Sequence, residues 1–171
     1  MRPSPDRCHV VGLSGQHDRG GFCCGIEALD RYLKTQAGQD SRRRVAACFV
    51  LTPFEESDRI VGYYTLSATS IALGDLPGSV SKRLPRYPAI PATLMGRLAV
   101  DSRFQGVRLG EFLLFDAMAR ALRSEIASFA FIVDPKDETA TRFYGRYRFL
   151  PLASGSQRMF LPISEIAALF G

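Results

Sequence analysis

The chain is 171 residues long, 46% hydrophobic and 23% charged, a length and balance that suit one domain with a proper core and exclude a disordered or fibrous class. No apolar run reaches the length of a membrane span, and the opening Met1-Arg2-Pro3-Ser4-Pro5-Asp6 lacks the apolar region of a secretion signal, so a cytosolic protein with no membrane partner is expected. The formal charge of +5 favours a polyanionic partner, nucleic acid above all, without requiring one.

Cys8-His9-Val10-Val11-Gly12-Leu13 reads as a short strand, and the following segment, with Gly15, Gly20, Gly21 and Gly25, as a loop. Cys8, His9, His17, Cys23 and Cys24 cluster in sequence, but their spacings match no zinc pattern and adjacent cysteines seldom ligate one metal. Reduced, partly buried thiols and no metal are expected. Ile26, Leu29, Leu33 and Ala37 recur at helical spacing and predict a helix from Ile26 to about Gln39. Ser41-Arg42-Arg43-Arg44 reads as a charged turn, either solvated or contacting phosphate.

Val45–Leu51 predicts a buried strand ended by Pro53, Glu55–Asp58 an acidic hairpin tip, and Ile60–Ile71 a long β-rich strand. Asp75–Ser81 reads as a loop, followed by Lys82-Arg83-Leu84-Pro85-Arg86-Tyr87-Pro88, a proline-stiffened loop bearing three cations and a tyrosine. Thr93–Val100 predicts the central strand. Leu109, Leu113, Ala117 and Ala121 stack at i,i+4 and predict a long helix from Leu109 to about Ala127. Phe129–Val133 is apolar throughout, as in a strand covered on both faces. Asp137 is placed to cap a helix from Glu138 to about Arg146. Phe149–Leu152 and Arg158–Leu161 predict two last strands around a Gly155 turn, and Ile163, Ile166, Ala167 and Phe170 a short end helix. With no repeat or linker, residues 1–171 read as a single domain of α/β (α+β) class: one mixed sheet of about six to seven strands flanked by helices.

Between the central strand and the long helix lies Gln105-Gly106-Val107-Arg108-Leu109-Gly110. A helix N-terminus offers backbone N–H groups without intrahelical partners, together with partial positive charge, and glycines let the backbone come close to a ligand. That suits a phosphate or pyrophosphate, although a glycine-bearing loop alone is weak evidence.

The chain resembles the GNAT superfamily of acetyl-coenzyme A-dependent N-acetyltransferases. Gln105–Gly110 occupies the place of the superfamily's cofactor motif, and Asp137-x-x-Ala140-x-x-Phe143-Tyr144-x-x-x-Arg148-Phe149 that of its second landmark. A narrower resemblance is to the tRNA-acetylating GNAT toxins of type II toxin-antitoxin systems. Phe22-Cys23-Cys24-Gly25-x-x-x-Leu29-Asp30-x-Tyr32-Leu33, Gly62–Ser67, Leu84-Pro85-Arg86-Tyr87-Pro88, Gly96–Asp101 and Phe160-Leu161-Pro162 carry it, in the right order along nearly the whole chain. The resemblance implies a GNAT fold and transfer of acetyl from acetyl-CoA to the free amine of aminoacyl-tRNA, which blocks translation. It also implies a ribbon-helix-helix antitoxin that carries the operator DNA contact, and a homodimer. Two residues depart from the superfamily pattern: Arg108 and Arg148 stand where glycines are usual. An acetyltransferase of small amines or protein N-termini, and a degenerate, non-catalytic interaction protein, are the alternatives.

The resemblance places the thioester beside Leu98, Ala99 and Val100, whose backbone would hold the pantetheine arm like an added strand, with a backbone N–H polarising the carbonyl. It assigns Gln105, Gly106, Val107, Arg108, Leu109 and Gly110 to the pyrophosphate and adds Asp137 and Phe143 to the cofactor site. It makes Tyr144 the proton donor to the departing thiolate, whereas spacing alone makes Tyr144 part of a core stripe with Ala140, Phe143 and Tyr147. No Glu lies in the central strand to act as base. A lysine amine is only about 0.04% neutral at pH 7, whereas an α-amine of pKa about 7.7 is roughly one-sixth neutral, so the absence of a base leans towards an α-amine substrate. Lys82, Arg83, Arg86 and Arg97 are the candidate RNA contacts, with Arg42–Arg44 a second cluster and Tyr87 a candidate for stacking on a base.

Overall fold

The computed structural model describes residues 2–153 and 155–171; Met1, which opens the N-terminal stretch read above, and Ser154 lie outside them. In chain order the elements are β1 (Cys8–Gly12), α1 (Glu27–Thr35), α2 (Ala37–Arg43), β2 (Ala47–Pro53), β3 (Gly62–Ala72), α3 (Gly78–Ser81), β4 (Ala89–Val100), α4 (Leu109–Arg123), β5 (Ala130–Val133), α5 (Glu138–Gly145), β6 (Leu150–Pro151), β7 (Met159–Pro162) and α6 (Ile163–Phe170). The strands form one seven-stranded sheet in the order β1-β2-β3-β4-β5-β7-β6. The sheet is mixed: β4 and β5 run parallel, whereas β1–β2, β2–β3, β5–β7 and β6–β7 are antiparallel. Among the described residues no helix is long and apolar enough to cross a membrane.

The chain divides into two compact units, one comprising the chain through Ser67 with Gly96–Ala117, the other Ala68–Met95 with Met118–Gly171. In the first, Phe22, Leu29, Tyr32 and Leu33 pack with Cys48, Val50, Tyr63 and Ala99. The Tyr63 hydroxyl donates to the Leu29 carbonyl at 2.7 Å, pinning α1 to β3. Gly62 has a steric reason: a Cβ there would come within 2.8 Å of Leu113 Cδ1 and 3.0 Å of the Ala99 carbonyl, so only glycine lets α4 lie this close. In the second unit, Ile71, Leu76, Ile90 and Ala92 pack with Ala130, Ile132, Leu152 and Phe160. All four residues of β5 are buried, as its unbroken apolar run predicts.

The helix expected from Ile26 to about Gln39 is two helices. Gln36 joins them at φ −118° and ψ −35°, an open form of the right-handed helical conformation, and its side chain donates to Asp40 Oδ1, whose other oxygen takes the Tyr32 hydroxyl. Ile26 is 43% exposed because it is the residue before α1 and not part of the buried stripe. The expected turn at Ser41–Arg44 is the end of α2, closed by Arg44 in the left-handed conformation at φ 60°. Val45, expected to be buried, is 62% exposed because that cap delays β2 until Ala47. The loop expected at Asp75–Ser81 contains a single α turn, and β4 starts at Ala89, ahead of the expected Thr93. The long helix stops at Arg123, leaving Ile126 82% exposed. Of the apolar residues expected to seat α6, only Ile166 is buried.

Candidate active site

In the first unit the end of β4 runs into the loop before α4, and internal hydrogen bonds tie the two together. The parallel ladder of β4 on β5 stops at Met95↔Val133, so Gly96–Val100 runs on without a β5 partner, and this stretch carries Leu98, Ala99 and Val100. Asp101 follows, fully buried, and organises everything beyond it. It accepts from the backbone N–H of Cys23 at 3.2 Å and from that of Arg103 at 3.0 Å, and it takes Arg103 Nε and Nη2, each at 2.9 Å. Burial alone would raise the Asp101 pKa. The Arg103 guanidinium and the two backbone N–H groups outweigh burial and hold the carboxyl below its ordinary range.

Gln105 does not reach outward. Its amide donates to the carbonyls of Val100 and Cys24 at 3.0 and 3.3 Å, tying the loop to the strand it leaves. Gly106 follows at φ 86°, and a Cβ added there would meet open space, so its backbone is accessible to a ligand. Arg108 lies at φ 65°, and its carbonyl accepts the first bond of α4 from Phe112 N–H. Val107, Arg108, Leu109 and Gly110 thus lead into the helix start, where the first N–H groups lack intrahelical partners. These observations fit a coenzyme pyrophosphate.

The two arginines at glycine places keep the backbone course a glycine would take: Arg108 at φ 65° and Arg148 at φ 72° both adopt the left-handed region. Each carries a conformational cost on the order of 1 kcal/mol. The Arg108 side chain is exposed. Arg108→Gly is therefore expected to raise stability by roughly 0.5–1 kcal/mol, about 2 °C in Tm; acetyl-CoA binding should weaken if the guanidinium pairs with the pyrophosphate, strengthen if the side chain obstructs it, and stay unchanged if it points away. Thermal melts and calorimetry on the same variant check both signs.

In the second unit, Asp137 caps α5 by accepting from Ala140 N–H at 2.8 Å. This is the cap expected from the sequence, and it commits one carboxylate oxygen to the helix. Phe143 and Tyr144 follow on α5. Tyr144 is buried, with its ring edge-on to Phe143 at 5.2 Å and to Phe149 at 5.6 Å. Burial pushes its pKa up and the Asp134 carboxylate adds to that rise, so the phenol stays protonated. Among the described residues nothing hydrogen-bonds its hydroxyl.

Lys82, Arg83, Arg86 and Tyr87 are all exposed on the loop between α3 and β4 in the second unit. Arg97 is not among them. It belongs to the first unit, on β4, with its guanidinium 3.5 Å above the Tyr32 ring. Arg42 and Arg43 form the last turn of α2. The four cysteines are free thiols, with Cys8, Cys24 and Cys48 buried and Cys23 exposed. Among the described residues no group of three or more His, Cys, Asp or Glu could hold a metal ion. Sequence reasoning undervalued Asp101 and Arg103. The signal was an aspartate just before the short Ser-Arg-Phe turn, a capping position.

No protein-family model matches the chain. The probable toxin TacT of Sinorhizobium fredii is 32% identical over 165 residues, which cover 91% of this chain and 91% of that protein. A tRNA-acetylating toxin of Mycobacterium tuberculosis is 32% identical over 161 residues, 93% of this chain and 94% of that one. The chain belongs to the tRNA-acetylating GNAT toxins. Solved structures of these toxins share its fold. AtaT complexed with acetyl-methionyl-tRNAfMet matches with a TM-score of 0.88 at 29% identity, over 96% of this chain and 99% of that chain. AtaTR bound with AcCoA matches with a TM-score of 0.84 at 29% identity, over 97% and 99%. The KacTA–DNA complex matches with a TM-score of 0.79 at 27% identity, over 95% and 98%.

Proposed function

We propose that this protein transfers acetyl from acetyl-CoA to the free α-amine of aminoacyl-tRNA, working in the cytoplasm as one domain and blocking translation. Tyr144 carries the reading: a tyrosine held in place by two aromatic rings, kept protonated by its surroundings, with its hydroxyl unengaged. The α-amine attacks the thioester carbonyl, a C–N bond forms and the C–S bond breaks. Tyr144 gives its proton to the departing thiolate, and the proton the amine loses goes to solvent, from which Tyr144 is recharged. The backbone of Leu98, Ala99 and Val100 holds the pantetheine arm, and Gln105, Gly106, Val107, Arg108, Leu109 and Gly110 form the pyrophosphate loop. Asp137 sets the α5 start, and Phe143 packs edge-on against the Tyr144 ring. Lys82, Arg83 and Arg86 contact RNA phosphates; Arg97 adds its charge with one guanidinium face on Tyr32. Asp101 is no base, because Arg103 and two backbone N–H groups use its oxygens, which agrees with an α-amine substrate that needs none. An antitoxin of the ribbon-helix-helix type neutralises the protein and carries the operator DNA contact; the relative AtaT binds the antitoxin AtaR, and the AtaT–AtaR complex binds DNA.

The protonation states give a pH profile. Activity should rise as pH climbs through the amine pKa, at or below about 7.7, and should not fall below about pH 10, because Tyr144 holds its proton beyond its ordinary value. A cell-free translation reaction tests the function: the protein should stop synthesis only when acetyl-CoA is present. Inhibition without acetyl-CoA, or no acetyl-CoA binding by calorimetry, would overturn the enzymatic reading.

A further inference from the structure

One cationic cluster in the first unit is used neither by the transfer chemistry nor by the fold. Arg19, in the loop after β1, and Arg42, in the last turn of α2, meet over Gly38. The place where a Cβ on Gly38 would sit lies 2.9 and 3.4 Å from the two terminal nitrogens of Arg19 and 3.3 Å from Arg42 Nη1. Two guanidinium groups thus converge on the one position of α2 that lacks a side chain. Among the described residues neither is hydrogen-bonded or ion-paired to an acid. Like charges brought together repel unless an anion joins them.

The surroundings add to the imbalance. Arg97 lies over Tyr32, and Asp40, the nearby acid, already accepts from Tyr32 and Gln36. Arg19 and Arg97 both oppose the rise that burial imposes on the Cys48 thiol, which still reaches about 12. Ser41, one helical turn beyond Gly38, keeps its hydroxyl buried with no partner. Planar guanidinium forks match phosphate oxygens bidentately.

We propose that Arg19 and Arg42, converging over Gly38, form a phosphate-binding site for the backbone of the tRNA substrate. Gly38 lets the two guanidiniums settle close on α2: a methyl group there would push them away. This inference rests on the tRNA reading above and adds a site for the RNA that the candidate contacts Lys82, Arg83 and Arg86 do not supply.

The test is anisotropy with labelled, deacylated bulk tRNA across a salt series, for wild type, Arg19→Gln/Arg42→Gln and Gly38→Ala. Both variants should bind roughly tenfold more weakly at about 0.15 M salt, and the slope of log affinity against log salt should shrink by about one. Acetyl-CoA affinity should be unchanged in both. Gly38→Ala should melt no lower than wild type, because alanine suits a helix better than glycine and only flexible guanidinium ends must move. If wild type binds tRNA and both variants match its affinity and slope, the site is overturned while the tRNA reading stands. If wild type binds no tRNA, both fall. If the variants keep tRNA but lose binding of a polyglutamate probe, the site belongs to an acidic protein partner and the phosphate assignment is overturned.

Discussion

Tyr144→Phe should lower the turnover of acetyl transfer by about 10²–10⁴-fold and leave acetyl-CoA affinity within about twofold of wild type. The ring is buried against Phe143 and Phe149, and phenylalanine keeps that packing. No hydrogen bond of the hydroxyl within the described structure is lost with it, so stability should change little. What disappears is the proton for the leaving thiolate. Without it the thiolate must depart as an anion or draw its proton from water, and the whole effect falls on kcat. Turnover equal to that of wild type would remove Tyr144 as the donor. A large rise in KM with kcat unchanged would make it a binding residue instead.

Asp101→Ala should destabilise the protein by about 3 kcal/mol, about 10 °C in Tm. Asp101 is fully buried, and four donors converge on it: Cys23 N–H, Arg103 N–H, Arg103 Nε and Arg103 Nη2. Alanine strands two backbone donors and frees the guanidinium. The damage should also spread to coenzyme binding, because Asp101 joins the end of β4 to the loop that Gln105 ties back to Val100. The Asp101 pKa is lowered in the folded state. Its stabilisation is therefore complete above the unfolded value of about 3.9 and is lost as pH falls through the lower folded value. Melts of wild type and Asp101→Ala at neutral pH and below pH 3 check this: the gap between them should narrow in acid.

The parts of the site legible in the sequence are those made by neighbours along the chain. The Asp137 cap spans three residues, the α4 stripe repeats every four, and β5 is four apolar residues in a row. The glycine loop and Tyr144 were legible because family motifs fall on them. What escaped was set by contacts distant in sequence. Arg97 looks like a free RNA contact until Tyr32, 65 positions earlier, takes one of its faces. Asp101 reads as a loop residue until Cys23 folds against it. The break at Gln36 leaves the i,i+4 spacing of Gln36 and Asp40 intact, so helical periodicity runs straight through it. Arg108 and Arg148 show the opposite case. Composition there argues against glycine-like turns, yet the surrounding fold holds both at positive φ.

The most direct measurement is acetyl transfer from labelled acetyl-CoA to bulk charged tRNA, with the same RNA after deacylation and a lysine-containing peptide alongside. Label should enter only the charged tRNA and should be released on ester hydrolysis as N-acetyl amino acid. Label in the deacylated RNA or in the peptide, with none on charged tRNA, would contradict the proposed function.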